Sequence, residues 1–450
     1  MRYAWMRVVA LLAVLAIVAA ACGGGDEDST TTEAAGGDDT TTTEAMGDTT
    51  TTEAMAGGDV TCDEPVTVGL ITDQTGALAI YGAHMLRGVP AGFEYATGDD
   101  GSDGMYTLDG CDIELIIKDD QSDAELSATA ARELIEVEGA DIIIGSVSSG
   151  VTATLQGIAR ETDTILIAAP AAANDLTGAT FDPNTFRTSR NNYQDAMAIC
   201  ENLTKEYDTF VQIAPDYVFG YGGAQAYRDS CSALGGEFPA DDIFAPADTT
   251  DFTPYMEQID AVDAEAILVT WAGGGFIPLL QAATDLGVLE TKTLASPFVD
   301  NVALPAFFAN ALGSTSSVLY HYSFPDNAAN DFLIAAAEEQ GTKPDLFDAD
   351  GMNAAIMVVE ALRATGGATD ADSLRDALEG LSFEGPKGTI EVRPEDHVAI
   401  QDMYIATLLN VDDPDFMYFE YVETVRPQPP CLVPAELDRC GDLPAGSLTG

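Results

Sequence analysis

Residues Ile113–Gly145 read IELIIKDDQSDAELSATAARELIEVEGADIIIG, and this stretch decides the fold. Ile113–Lys118 is a mostly apolar run of strand length. Asp119-Asp120-Gln121-Ser122 interrupts it. From Asp123 to Val137 the period changes: Leu126, Ala130, Leu134 and Val137 fall on one helical stripe. Ser122 and Glu125 have capping-box spacing ahead of that stripe. Asp141–Gly145 is then apolar again. Strands without polar alternation, joined by a helix, predict a parallel sheet covered on both faces.

The pattern continues outward. Further strand-length runs are Val66–Thr72, Thr164–Ala168, Thr209–Ala214, Ala264–Trp271, Thr291–Ala295 and Ser316–Tyr320. Roughly 390 residues follow Val60, enough for two domains of ordinary size. The fold class is α/β, with doubly wound parallel sheets. In such sheets ligands bind beyond the C-terminal ends of strands. The loops to inspect are therefore Asp73–Gly82, Asp119–Ser122, Gly145–Thr152, Pro170–Thr177, Asp216–Gly222 and Ala272–Phe276.

Composition narrows the function. The chain has 18 basic and 75 acidic residues, a formal net charge of −57. A nucleic-acid partner needs a basic face, so that class is excluded. Surface charge of this kind governs solubility rather than site chemistry. Only His84, His321 and His397 are present, and no Cys-x-x-Cys occurs, so neither a metal nor another cofactor is expected. Enzymatic motifs fail in detail. Gly145–Gly150 is not Gly-x-Ser-x-Gly, and Gly273–Gly275 lacks the Walker lysine. The Asp119-Asp120 pair could suggest a metal or acid/base site.

The N-terminus sets the compartment. Arg2 and Arg7 precede fourteen uncharged residues, Val8–Ala21, too few for a bilayer span of about 20. Residues 1–21 are an export signal. Val18-Ala19-Ala20-Ala21-Cys22-Gly23 resembles the bacterial lipobox, which makes Cys22 the lipidation site. Residues 22–59 repeat Thr-Thr-Thr-Glu-Ala from Thr30, Thr41 and Thr50, and they hold no Lys, Arg or aromatic residue. Such a segment cannot bury enough apolar surface to order itself. It is read as a tether with a reach on the order of 35 Å. The expected location is extracytoplasmic, with the membrane contacted through the lipid only.

Setting Cys22 aside leaves Cys62, Cys111, Cys200, Cys231, Cys431 and Cys440. An even number in an exported chain predicts three disulfides, and six cysteines allow fifteen pairings. The favoured set is Cys62–Cys111, ahead of two neighbouring strands; Cys200–Cys231, on consecutive helices; and Cys431–Cys440, in the Pro-rich tail.

Taken in order, the loops resemble the branched-chain amino-acid (leucine/isoleucine/valine) type of periplasmic solute-binding protein of ABC importers. The resemblance runs from about Val66 to Thr407. It rests on Thr75-Gly76, Tyr81-Gly82, Asp119-Asp120, Gly145–Thr152, Ala169–Ala172, Phe186-Arg187-Thr188, Tyr217–Gly222 and Asp251-Phe252-Thr253. It implies a class I periplasmic-binding-protein fold with two lobes joined by a three-segment hinge, and it makes Asp119-Asp120 a strand-end turn and cap. Lobe one is expected at 60–188 plus 324–397, lobe two at 189–323 plus 398–425, and a tail at 426–450. It also implies a monomer that closes around an amino acid, amide or small carboxylate and docks on ABC permease subunits. A sensor of the same fold, presenting its ligand to a membrane receptor, is the alternative.

The resemblance implies site residues. Ser149 matches the family's carboxylate-binding serine, beside Ser148 at a helix N-terminus, where free N–H groups favour an anion. A capping role is the plainer reading of Ser149. Ala171 matches a backbone contributor, with Ala172 and Ala173 beside it. Tyr81 and Phe219 match aromatic contacts, and Ala272 lies in a strand-end loop. Two departures stand out. Ala173 replaces a threonine, and the ammonium-binding glutamate aligns near Pro297, leaving Asp300 as the nearest substitute. Trp271 and Phe276 suggest an aromatic pocket.

Overall fold

The computed structural model describes residues 60–298, 300–301, 304–307 and 312–449. The export signal, Cys22 and the tether lie outside the described residues.

The first sheet follows the reading above. β1 (Val66–Thr72) is buried at all seven positions, as a strand covered on both faces must be. The helix α1 (Ala79–Thr97) follows it. An edge strand β2 (Tyr106–Leu108) turns into β3 (Cys111–Asp119), which pairs in parallel with β1, Val66 opposite Ile113. Then come α2 (Ala124–Glu136), β4 (Ile142–Gly145), α3 (Ser149–Thr162), β5 (Ile165–Ala168) and β6 (Thr185–Arg187). The order is β2-β3-β1-β4-β5-β6, with only β2 antiparallel.

The chain then builds a second sheet. Its elements are α4 (Asn192–Leu203), β7 (Phe210–Pro215), α5 (Val218–Ala233), β8 (Ile243–Ala245), α6 (Thr253–Asp260), β9 (Ala266–Val269), α7 (Phe276–Asp285) and β10 (Thr293–Ala295). This sheet is wholly parallel, in the order β10-β9-β7-β8. Each sheet has its own hydrophobic core.

The short helix α8 (Leu304–Phe307) precedes β11 (Thr315–Val318). The chain then returns to the first sheet with α9 (Ala328–Glu339), α10 (Asp348–Thr365) and α11 (Ala371–Leu378). Five further strands follow: β12 (Ser382–Gly385), β13 (Gly388–Val392), β14 (Ala399–Ile400), β15 (Met403–Leu408) and β16 (Phe419–Val425). They pair antiparallel in two small sheets, β12-β13-β14 and β11-β15-β16. α10 is buried almost all round. It lies close on α1 because Gly88 and Gly92 present no side chain to Asp348 and Met352. The crossing segments are tied together where Gln194 donates to the Ala399 carbonyl and Gln401 to that of Thr188, each at 3.0 Å.

Three expectations need correction. The run near Ser316–Tyr320 does not extend a parallel sheet but pairs antiparallel with β15. α2 is capped by Asp123, which accepts from the amides of Glu125 and Leu126; Ser122 instead donates to Asp73. The stripe on α2 is rotated as well: Leu126 is 44% and Val137 76% exposed, while Ser127 and Ala131 turn inward with Ala130 and Leu134.

All three disulfides pair as favoured: Cys62–Cys111, Cys200–Cys231 and Cys431–Cys440. The last closes a tail that reaches both layers. Arg439 bonds Glu379, at the end of α11, and Ser447, Leu448 and Thr449 donate to Asp229 on α5. No helix among the described residues is long and apolar enough to cross a membrane.

Candidate ligand-binding cleft

The ends of the parallel strands are shaped by buried side chains. Asp73, beyond β1, accepts from the amides of Gly76 and Leu78 and from the Ser122 hydroxyl, which folds the loop back on the strand. α1 then starts directly against that strand end. A Cβ on Gly82 would sit 1.5 Å from the Asp73 carbonyl oxygen, so only glycine fits there. This approach places Tyr81 in the cleft. The second sheet repeats the device: a Cβ on Gly220 would lie 1.9 Å from the Pro215 carbonyl oxygen, and Tyr217 and Phe219 flank the turn.

At α3 the cap is Ser148, whose hydroxyl accepts from the Val151 amide. Ser149 is thereby released from capping. It is the first helical residue, and its Oγ accepts from the Ala173 amide at 3.2 Å. The loop Pro170–Ala173 is held from behind. Buried Arg187 donates to the carbonyls of Ala171 and Ala173, and Asn192 donates its amide to that of Ala172 at 2.9 Å. Burial lowers the Arg187 guanidinium to about 9.

One cleft gathers side chains from both sheets. From the first come Leu78, Tyr81, Val147, Ser149, Pro170, Ala172 and Phe347; from the second, Tyr217, Phe219, Ala272 and Phe298; Arg190 lies on the crossover between them. The space left between these side chains is ≈ 20 Å³, enough for about one water. The walls meet across it. The Gly273 amide donates to the Tyr81 hydroxyl at 3.3 Å, and the Asn174 side chain donates to the Gly222 carbonyl at 3.0 Å. Tyr81 stands edge-on to Phe347, ring centroids 5.1 Å apart.

Arg190 is 1% exposed. Its Nε donates to Asp195 at 3.2 Å and its Nη1 to the Pro170 carbonyl at 2.8 Å. Its guanidinium lies over Phe298 at 5.4 Å and over Phe347 at 5.2 Å. Burial raises Asp195 to about 6, against the pull of Arg190. Beside the cleft, Asp345 accepts from the amides of Asn301 and Leu346, and burial reinforced by Asp300 pushes it up to about 8. Burial, with Asp300 next, also drives the Tyr81 phenol upward.

Of the residues expected from the sequence, Tyr81, Ser149, Ala172, Phe219 and Ala272 line the cleft. Ser148 caps α3, Ala171 and Ala173 are used by Arg187, and Asp300 is buried but is not a lining residue. Trp271 and Phe276 belong to the core under the second sheet, Trp271 edge-on to Phe252 at 4.8 Å. The aromatic lining comes instead from Phe298, Phe347 and Tyr217. Sequence reasoning passed over Phe298, Phe347 and Arg190. Of these only Arg190 left a signal, an arginine two residues beyond Phe186-Arg187-Thr188 in a chain poor in cations.

Among the described residues, one triad has metal-ligand spacing: Asp73, Asp119 and Asp120. Its carboxylates already accept protein donors, Asp119 from Gln74, Thr75 and Gln121, and Asp120 from Ser122 and Ser146. They act as the turn and cap read from the sequence.

Two covered parallel sheets whose strand ends share one cleft define a two-lobed solute-binding protein of the class I type. The chain belongs to the periplasmic binding protein family, whose model matches residues 65–412. It is similar to Leu/Ile/Val-binding protein homolog 6 of Brucella melitensis, 25% identical over 374 residues, covering 81% of this chain and 92% of the relative. Among solved structures it resembles an ABC-type branched-chain amino acid transporter from Rhodopseudomonas palustris CGA009. There the identity is 32% and the TM-score 0.68, over 82% of this chain and 100% of that one. A solute-binding protein from Rhodopseudomonas palustris BisB5, in complex with 3,4-dihydroxybenzoic acid, is 25% identical with TM-score 0.71, over 83% and 99%. Family membership makes this chain an extracytoplasmic, non-enzymatic transport component that binds a small molecule and works with ABC permeases.

Proposed function

We propose that the chain is the lipid-anchored capture component of an ABC importer, closing two lobes over an amino acid or a related small carboxylate or amide. The observation that carries this is the cleft lined from both sheets, with Ser149 at the start of α3 and Tyr81 bonded across it to Gly273. Lobe one is assigned to 60–188 plus 324–397 and lobe two to 189–323 plus 398–425. Cys22 carries the lipid, residues 23–59 serve as the tether, and the protein acts as a monomer. Hinge closure of this kind is stabilised by a ligand that contacts the closed form better than the open one.

A thermal-shift screen of amino acids, amides and small carboxylates on the purified protein tests the reading. A ligand at 100 times its Kd stabilises the folded state by about 2.7 kcal/mol. No shift with any of them, in protein freed of carried-over ligand, would sink the proposal. Cys22→Ala should release the protein from membranes and abolish labelling by fatty acid; retention of both would refute the anchor.

A further inference from the structure

We infer that Arg190 sets what the cleft selects: a carboxylate with an apolar, aromatic-sized body and no ammonium group. The inference rests on the capture reading above and narrows its ligand.

The argument begins with the guanidinium. Asp195 fixes its Nε and the Pro170 carbonyl its Nη1. No described residue accepts from Nη2, and the side chain lines the cleft. A planar fork held at two of its nitrogens is preorganised for an anion on the third. Ser149, on the same cleft, opens a helix whose free N–H groups and dipole also favour negative charge. Arg190 and the start of α3 therefore both ask for an anion.

The aromatic rings point the same way. A ligand ammonium is commonly held against ring faces. Here the Arg190 guanidinium is already stacked over Phe298 and Phe347. A second cation would meet like charge at short range in a low-dielectric site. No aspartate or glutamate is among the lining residues described. Of the carboxyls beside it, Asp195 accepts from the Arg190 Nε, and Asp345 accepts from the amides of Asn301 and Leu346. What remains for the body of the ligand is apolar surface: Tyr81, Phe219, Phe298 and Phe347.

Isothermal titration of the unaltered full chain with four probes tests this. Benzoate should bind roughly 10- to 150-fold more tightly than benzamide, the worth of one charge-assisted hydrogen bond. 4-Methylpentanoate should bind at least about tenfold more tightly than leucine, which differs from it by the α-ammonium. Equal binding of benzoate and benzamide, or a preference for leucine, overturns the inference. So does binding of an amine-bearing solute when benzoate and 4-methylpentanoate are both silent; that outcome leaves the capture reading standing, whereas silence towards every solute ends both. Arg190→Lys keeps a cation beside Asp195 but loses the fork. It should weaken benzoate about tenfold and leave benzamide unchanged. An equal loss for the two probes would mean that Arg190 only supports the fold.

Discussion

Asp345→Asn should remove a pH dependence from the closing face of the cleft. The carboxyl lies among His84, Asp300, Asp348, Tyr81 and, a little further out, Arg87 and Arg190. His84 is driven well below its usual range by burial and adds no neutralising charge at pH 7. Burial and Asp300 together hold Asp345 up at about 8. The folded chain therefore keeps a proton on Asp345 that the unfolded chain has lost above about pH 4. A raised carboxyl contributes stability that is full below the unfolded pKa and is lost as pH rises through the folded one. Asp195 and Asp348 are also raised, to about 6, and burial lowers Lys387 to about 8, so the contribution of Asp345 between pH 6 and 8 is read from the variant and not from the wild type alone. Over those two units the slope of about 1.36 kcal/mol per unit, falling to half by about pH 8 as Asp345 itself ionises, gives a loss of about 2 kcal/mol. For a chain of this size that is roughly 3 °C in melting temperature. Asparagine keeps an acceptor for the Asn301 and Leu346 amides and does not titrate. The difference between wild type and variant, measured by calorimetry at pH 6, 7 and 8, cancels every other group. The variant should gain on wild type by several degrees across the series. A constant gap would show that Asp345 ionises in the folded chain without penalty, and the account of its surroundings would be wrong.

Tyr81→Phe removes the cross-cleft bond to Gly273 and leaves that amide unpaired in the closed form; affinity for any captured solute should fall about fivefold, as one neutral hydrogen bond is worth about 1 kcal/mol. An unchanged Kd by titration calorimetry would remove this contact from the closure. Gly82→Ala places a methyl 1.5 Å from the Asp73 oxygen and must push α1 off the end of β1; a loss of about 3 kcal/mol or more in urea unfolding is expected, with a wild-type midpoint as the contrary result. Cys62–Cys111 spans 49 residues and Cys431–Cys440 only 9, so chain entropy predicts losses of about 4 and about 2.5 kcal/mol when each pair is changed to serine. The reverse order in melting temperature would show that the tail does more than close its own loop.

How much of this could be read in advance depended on the range of the interactions. β1 was legible to the residue because Val66–Thr72 is uncharged and mostly apolar, as a doubly covered parallel strand requires. The body of α2 was legible from its period, but its inward face was not. Small Ser127 and Ala131 pack under the sheet, while Leu126 is left outside, a choice made by the space beneath β1 and not by hydrophobicity. β12 to β14 are two to five residues long, and alternation over so few positions is too brief to stand out. The helix-terminal half of the cleft was visible because Ser148, Ser149 and Thr152 are local to one turn. The aromatic half was not, because Phe298 and Phe347 come from separate loops and meet at Arg190 only in the folded chain.

That meeting also decides what a ligand can contribute. Without one, the closing face already has Tyr81 against Phe347, Phe298 against Phe219, and the bonds from Gly273 and Asn174. A ligand whose only asset is apolar surface must displace ring contacts to enter, so its gain on closure is a difference of similar terms. An anion meets a different balance. Nε and Nη1 of Arg190 are engaged by Asp195 and Pro170, and no described residue accepts from Nη2. A carboxylate held on that nitrogen as the lobes close adds a charge-assisted bond and displaces no ring contact. Differential contact of this kind is what a ligand needs in order to shift a hinge equilibrium. The cleft's selectivity and its capacity to close therefore reside in the same guanidinium, held in place by Asp195, Pro170 and two phenylalanines.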